Sequence, residues 1–120
     1  MNIEELRDYC IRKPGVGESF PFDKTTLVFK VMGKMFLLTD THSDFSLNIK
    51  FDPEDAIAAR EHYPAVIPGY HMNKVHWNTV NVDGSISDEI IYQWIDNSYD
   101  LVVAKLTKKL KEELNGLERN

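Results

Sequence analysis

Residues 26–51, TLVFKVMGKMFLLTDTHSDFSLNIKF, decide the fold. In the first six, Leu27, Phe29 and Val31 fall on one side and Thr26, Val28 and Lys30 on the other, which is the period of a strand with one buried face. Gly33 marks a tight reversal, Met35 to Thr39 reads as the partner strand of a hairpin, and the polar cluster Asp40-Thr41-His42-Ser43-Asp44 makes the next turn. A third strand spans Phe45 to Phe51, where Phe45, Leu47, Ile49 and Phe51 alternate with Ser46, Asn48 and Lys50. Three strands joined by short turns make an antiparallel meander.

Upstream of the meander, Asn2 and Glu5 have the spacing of a capping box, and Ile3, Leu6 and Cys10 recur at helical intervals, predicting a helix to about Lys13. Pro14-Gly15-Val16-Gly17 then reads as a turn. Downstream, Asp52-Pro53-Glu54-Asp55 starts a second helix: Asp caps the free amides, Pro suits the first helical position, and the acids complement the positive helix end. That helix closes near His62-Tyr63-Pro64. Ala65 to Asn73, with Pro68-Gly69, reads as irregular, and Val75 to Val82 (VHWNTVNV) as a fourth strand ending at the Asp83-Gly84 turn. Ser87 caps a helix containing Ile91, Trp94 and Ile95. Ser98 is expected to cap the last one, whose apolar positions Val103, Leu106, Leu110, Leu114 and Leu117 keep helical spacing. The predicted order is α-β-β-β-α-β-α-α: one α+β domain over residues 1–120, an antiparallel β-sheet meander packed against helices.

Composition narrows the function classes. Hydrophobic residues at 42% and charged residues at 28% fit a folded globular domain rather than a disordered chain. The net charge is −5, with 14 Lys and Arg against 19 Asp and Glu. That balance argues against coating nucleic acid by bulk electrostatics, although a local basic face is compatible with it. The single cysteine, Cys10, excludes an internal disulfide framework and a thiolate metal cluster, and fits a reducing compartment. The acidic start MNIEELRD lacks the pattern of a signal peptide, and no apolar run reaches the ~20 residues of a membrane span. A cytoplasmic protein without membrane attachment is expected.

No catalytic apparatus emerges. Cys10 lies on the apolar stripe of the first helix, where a small buried hydrophobe is the default. GxSxG, P-loop and GxGxxG motifs are absent. Glu4-Glu5, Glu54-Asp55 and Glu112-Glu113 sit in predicted helices as cap or solvent-face charges. His62, His71 and His76 invite a metal hypothesis, but the five-residue spacing of the last two suits one ion poorly and the segment from Tyr63 to Asn78 supplies no carboxylate as a third ligand. Neither a cofactor nor a metal is indicated, and the expectation is a protein that is not an enzyme.

Tyr63 to Asn78, YPAVIPGYHMNKVHWN, stands out in an acidic chain because it holds no acid. Lys74 suits a phosphate, Tyr70 and Trp77 suit stacking on bases, and Asn73 and Asn78 suit hydrogen bonds to base edges. The competing reading makes Tyr70 and Trp77 sheet-packing aromatics and Pro68-Gly69 a turn. Lys30 and Lys50 lie on the polar faces of their strands and Lys34 at the hairpin turn, where a basic tip contacts a duplex backbone or merely keeps a sheet edge soluble.

Several phrases together match a known pattern. PGVGESFPF at 14–22, FKV with GKMF at 29–36, LNIK with DPE at 47–54, PGYHMNK with HWNTV at 68–80 and SYDLV at 98–102 closely resemble the MmcQ/YjbR family of small bacterial proteins. The resemblance covers about residues 2–111. It implies a CyaY-like α+β fold and a DNA-binding role through a pair of β-hairpin wings. Carried over by position, it implicates Lys30, Lys34, Lys50 and Lys74 with His71, His76, Trp77 and Asn78. The leading expectation is a DNA-binding protein of this kind. The alternative is a protein-interaction or chaperone-like adaptor using the same sheet face, and a metal or small-ligand binder is a third reading.

Overall fold

The expected hairpin forms as a two-residue loop. In a computed structural model, which describes residues 1–42, 44–69 and 72–118, Val31 pairs with Lys34 across Met32 and Gly33. Both loop residues have positive φ, 49° and 83°. A loop with two positive φ values matches the right-handed twist of the strands it joins, and glycine takes such a conformation without steric cost.

The elements in chain order are α1 (Ile3–Ile11), β1 (Val16–Ser19), β2 (Thr26–Val31), β3 (Lys34–Asp40), β4 (Ser46–Lys50), α2 (Pro53–His62), β5 (Val66–Pro68), β6 (Trp77–Asn81), α3 (Asp88–Ala104) and α4 (Lys108–Glu118). The strands form one sheet in the order β1-β2-β3-β4-β6-β5, every neighbouring pair antiparallel. The α+β class and the antiparallel meander are as expected, with two further strands. β1 replaces part of the turn expected at residues 14–17, and β5 replaces part of the irregular stretch at 65–73. Both are short edge strands whose conformation is set by the neighbour they pair with, and β5 ends on Pro68, as suits an edge.

The helix ends follow the sequence closely. The Asn2 side chain accepts from the Glu5 amide at 2.9 Å, Asp52 from the Glu54 amide at 3.2 Å and Ser87 from the Ile90 amide at 3.4 Å. Ser98 does not cap a helix. It sits inside the 17-residue α3, fully buried, and Thr107 caps α4 instead by accepting from the Leu110 amide. Ile91, Ile95, Ser98, Tyr99 and Val102 form the buried stripe of α3, at the three- and four-residue intervals that keep one helical face turned to the sheet.

Ser98 has a different task, created by a bulge. Between the pairs Phe29–Leu37 and Lys30–Met35 the register slips, which leaves Phe36 extra on β3 and turns it into the core. The β3–β4 ladder runs only from Thr39–Leu47 to Leu37–Ile49. Beyond it, the Ser98 hydroxyl donates to the Phe36 carbonyl at 2.6 Å and accepts from the Lys50 amide at 3.1 Å. One side chain of α3 thus satisfies two backbone groups that the interrupted ladder leaves without a strand partner. Beside it the Tyr99 ring meets Phe36 edge to face at 5.6 Å, and the Tyr99 hydroxyl donates to the Pro14 carbonyl at 2.6 Å.

The main core lies between one face of the sheet and the helices. Leu27, Phe29 and Val31 of β2, Leu37 of β3, Leu47 and Ile49 of β4 and Val80 of β6 meet Leu6 and Cys10 of α1 and the buried stripe of α3. Each such large side chain contributes roughly 1.5–3 kcal/mol through burial. Burial also pushes the Cys10 thiol up to about 12, so its role is packing.

Candidate nucleic-acid interface

The opposite face of the sheet belongs to the alternate residues of the same strands. Gly17 pairs with Lys30 and Lys30 with Met35, while Lys50 pairs with Trp77. Lys30 and Met35 lie on this face of β2 and β3, and Lys50 and Trp77 on the same face of β4 and β6. Lys30 and Lys50 thus share one face of the sheet on strands that stand two apart. One row across this face carries Val28, Leu38, Asn48 and Thr79, with the Thr79 hydroxyl donating to Asn48 Oδ1 at 2.6 Å.

This face has a small apolar cluster of its own. Val28, Leu38 and Trp77 are at most 8% exposed, with Met35 and Met72 packed against them. Lys34 is exposed at the hairpin turn. The Lys50 ammonium is held below the ordinary lysine value, first by burial and then by the positive charge of Lys105 at the end of α3. Lys105, the residue that follows α3, was not expected near Lys50, because reading Ser98 as a helix start hid the continuous α3 that precedes it.

Charge is divided between the two sides of the molecule. The strands carry Lys30, Lys34 and Lys50 against Glu18 and Asp40. Glu18 belongs to the helix side, where Arg7 of α1 pairs with it and holds its carboxyl below the usual range. The helices hold most of the acids: Glu4, Glu5 and Asp8 on α1, Glu54, Asp55 and Glu61 on α2, and Asp88, Glu89, Asp96 and Asp100 on α3, which has no Lys or Arg. The Lys13–Asp96 pair, joined by the Tyr9 hydroxyl on the same carboxylate oxygen, also lies on the helix side.

The remaining expected site residues separate. Asn78 is a correction: it lies on the helix side of β6, fully buried, where its Nδ2 donates to the Ala56 carbonyl at 3.1 Å. It is closed off from any nucleic acid because it shares the inward parity of Val80 on a two-residue period. Trp77 keeps the outward parity but is too well covered to offer a stacking surface. Asn73 and Lys74 build their own loop: Asn73 Oδ1 accepts from the Val75 amide at 2.8 Å, and Lys74 Nζ donates to the Gly69 carbonyl at 3.3 Å. Gly69 is required by close approach, since a Cβ there would stand 2.9 Å from both Cβ and the carbonyl oxygen of Trp77. Much of the PGYHMNKVHWN phrase thus specifies a loop closed onto β6. His76 is half-buried at the end of that loop, while Tyr70 and His71 lie outside the described residues. Among the described residues no three His, Cys, Asp or Glu side chains gather as a metal ion needs, and no helix is long and apolar enough to cross a membrane.

Comparison with known proteins assigns the fold and the family. The chain is 35% identical to the Escherichia coli K12 protein YjbR over 115 residues, covering 95% of this chain and 98% of that protein. It is also 35% identical to YbdF of E. coli O157:H7, covering 88% of each. The crystal structure of the Deinococcus radiodurans protein DR2400, a DUF419 domain, superposes with a TM-score of 0.89 at 41% identity, over 95% of this chain and 88% of that one. A Pseudomonas syringae crystal structure matches with a TM-score of 0.73 at 27% identity, over 84% and 98%. The YjbR family model matches residues 11–101, and the chain belongs to the YjbR family.

Proposed function

We propose that this protein binds duplex DNA through the sheet face that the helices leave open, with Lys30, Lys34 and Lys50 on phosphates and Lys105 adding to the field at Lys50. The observation that carries this reading is the segregation of charge. The net charge of −5 resides largely on the helix layer, while the charged groups of the open face are mostly lysines. A sheet laid against a duplex reaches the backbone with strand and hairpin side chains, and phosphate contacts position without reading sequence.

The covered state of Val28, Leu38 and Trp77 favours this over the adaptor reading, because a peptide-binding face relies on exposed apolar anchors and these three are already packed. Neither reading calls for catalysis, a cofactor or a metal, and both suit a cytoplasmic protein.

The test is an NMR titration of 15N-labelled protein with a short duplex at low and moderate salt. Shifts are expected at Lys30, Lys34 and Lys50 that weaken as salt rises, with α2 and the middle of α3 unmoved. Shifts confined to the helix layer, or none at low salt, would remove the DNA reading.

A further inference from the structure

On the far side of the sheet, and independent of the DNA reading, α2 and α3 leave between them a groove of about 780 Å³, a volume within the range of small-molecule sites. Its walls are aromatic and come from three places in the chain. Phe51 precedes α2, Tyr63 follows it, and Trp94 projects from α3. The Phe51 and Trp94 centroids are 5.4 Å apart with the rings at 61°, and those of Tyr63 and Trp94 are 5.3 Å apart at 78°. Phe51 is buried in the core and backs this corner, while Tyr63 and Trp94 are only partly buried. Trp94, the best cation–π partner of the side chains, is half-buried.

His62 also lines the groove, its ring centroid 4.6 Å from that of Tyr63, and the fixed charges at this corner are all negative. Asp52, Asp55 and Asp100 line the groove, and no described lining residue is Lys or Arg. The three carboxylates do not gather closely enough to hold a metal ion among themselves, and the rings offer no metal ligands. A cation suited to such a site is bulky, with its charge spread over carbon-bound hydrogens that pack on rings. Asp52 Oδ1 already accepts from the Glu54 amide at the start of α2, which leaves Asp55 and Asp100 as the freer countercharges.

We propose that the groove between α2 and α3 binds a small organic ammonium cation, with the cationic head against Trp94 and Tyr63 and its charge balanced by Asp55 and Asp100.

The test uses the full chain and choline as the probe, following the two tryptophan indole N–H signals by NMR. Trp94 lines the groove and Trp77 lies on the opposite face of the sheet, so one reports binding and the other serves as an internal reference. A saturable shift of the Trp94 signal is expected with choline and not with potassium chloride at matched ionic strength, and Trp77 should stay fixed. The neutral isostere 3,3-dimethylbutan-1-ol should bind at least tenfold more weakly. The doubly substituted Asp55→Asn, Asp100→Asn variant, altered only at exposed positions, should keep its thermal midpoint and lose at least fivefold in affinity. Equal binding of the neutral alcohol, an equal response to potassium chloride, unchanged affinity in the variant, or no saturable shift at Trp94 would each overturn the assignment.

Discussion

Leu27, Phe29 and Val31 of β2 lie beneath the helices, while Lys30 and Val28, one residue away in either direction, belong to a face with no helical layer over it. The contrast continues across the sheet. On the covered side stand apolar residues, helices and most of the acids. On the open side stand lysines, amides and hydroxyls around three packed hydrophobes. Average charge therefore describes neither surface. A chain with net charge −5 keeps a lysine-bearing sheet face because its acids sit mainly on helices, where they complement helix ends and face solvent. The two faces also differ in what can be changed on them: the covered one is fixed by packing and, apart from Asn78 Oδ1, by hydrogen-bonded buried polar groups, the open one by surface charge.

The strongest way to break this contrast is at the point where the layers join. Ser98→Ala leaves the Phe36 carbonyl and the Lys50 amide without their hydroxyl partner in a buried place, and the expected loss is about 2–4 kcal/mol in urea unfolding. A loss below about 0.5 kcal/mol would mean that the hydroxyl does not hold β3 and β4 together.

A smaller effect is expected at the exposed edge of the covered side. The Arg7 guanidinium lowers the Glu18 carboxyl, so the stability it adds is present above the carboxyl's ordinary value of 4.5 and is lost as pH falls through the depressed one. Glu18→Gln should thus be less stable than the parent at pH 7 by a few tenths to about 1 kcal/mol, given the exposure of Arg7, and equally stable near pH 2 by thermal melts. A gap that persists in acid would assign the effect to packing rather than charge.

Much of the fold was legible because the meander alternates cleanly and the caps at Asn2, Asp52 and Ser87 are strong local signals. What escaped depends on partners distant in sequence. Val16–Ser19 has no apolar alternation of its own and becomes a strand by pairing with β2. Ser98 has the right chemistry for a cap, and only the bulge at Phe36 gives its hydroxyl a reason to lie mid-helix. In the site, Lys30 and Lys50 were readable from strand parity. VHWNTVNV gave no clear alternation, so Trp77 and Asn78 could not be assigned to faces until Val80 was seen to lie inward. The PGYHMNK phrase suggested a ligand surface because of its composition, yet Gly69, Asn73 and Lys74 largely serve the loop itself. Lys105 joined Lys50 through the length of α3, which local spacing did not reveal.

The most direct measurement of the open face is the salt dependence of duplex DNA affinity for the parent and for the Lys30→Gln, Lys50→Gln variant, whose stability should stay within about 0.5 kcal/mol of the parent. If each lysine neutralises one phosphate, the slope of log affinity against log salt is shallower in the variant by about 1.8. An unchanged slope, or a parent that binds no DNA at low salt, would contradict the account.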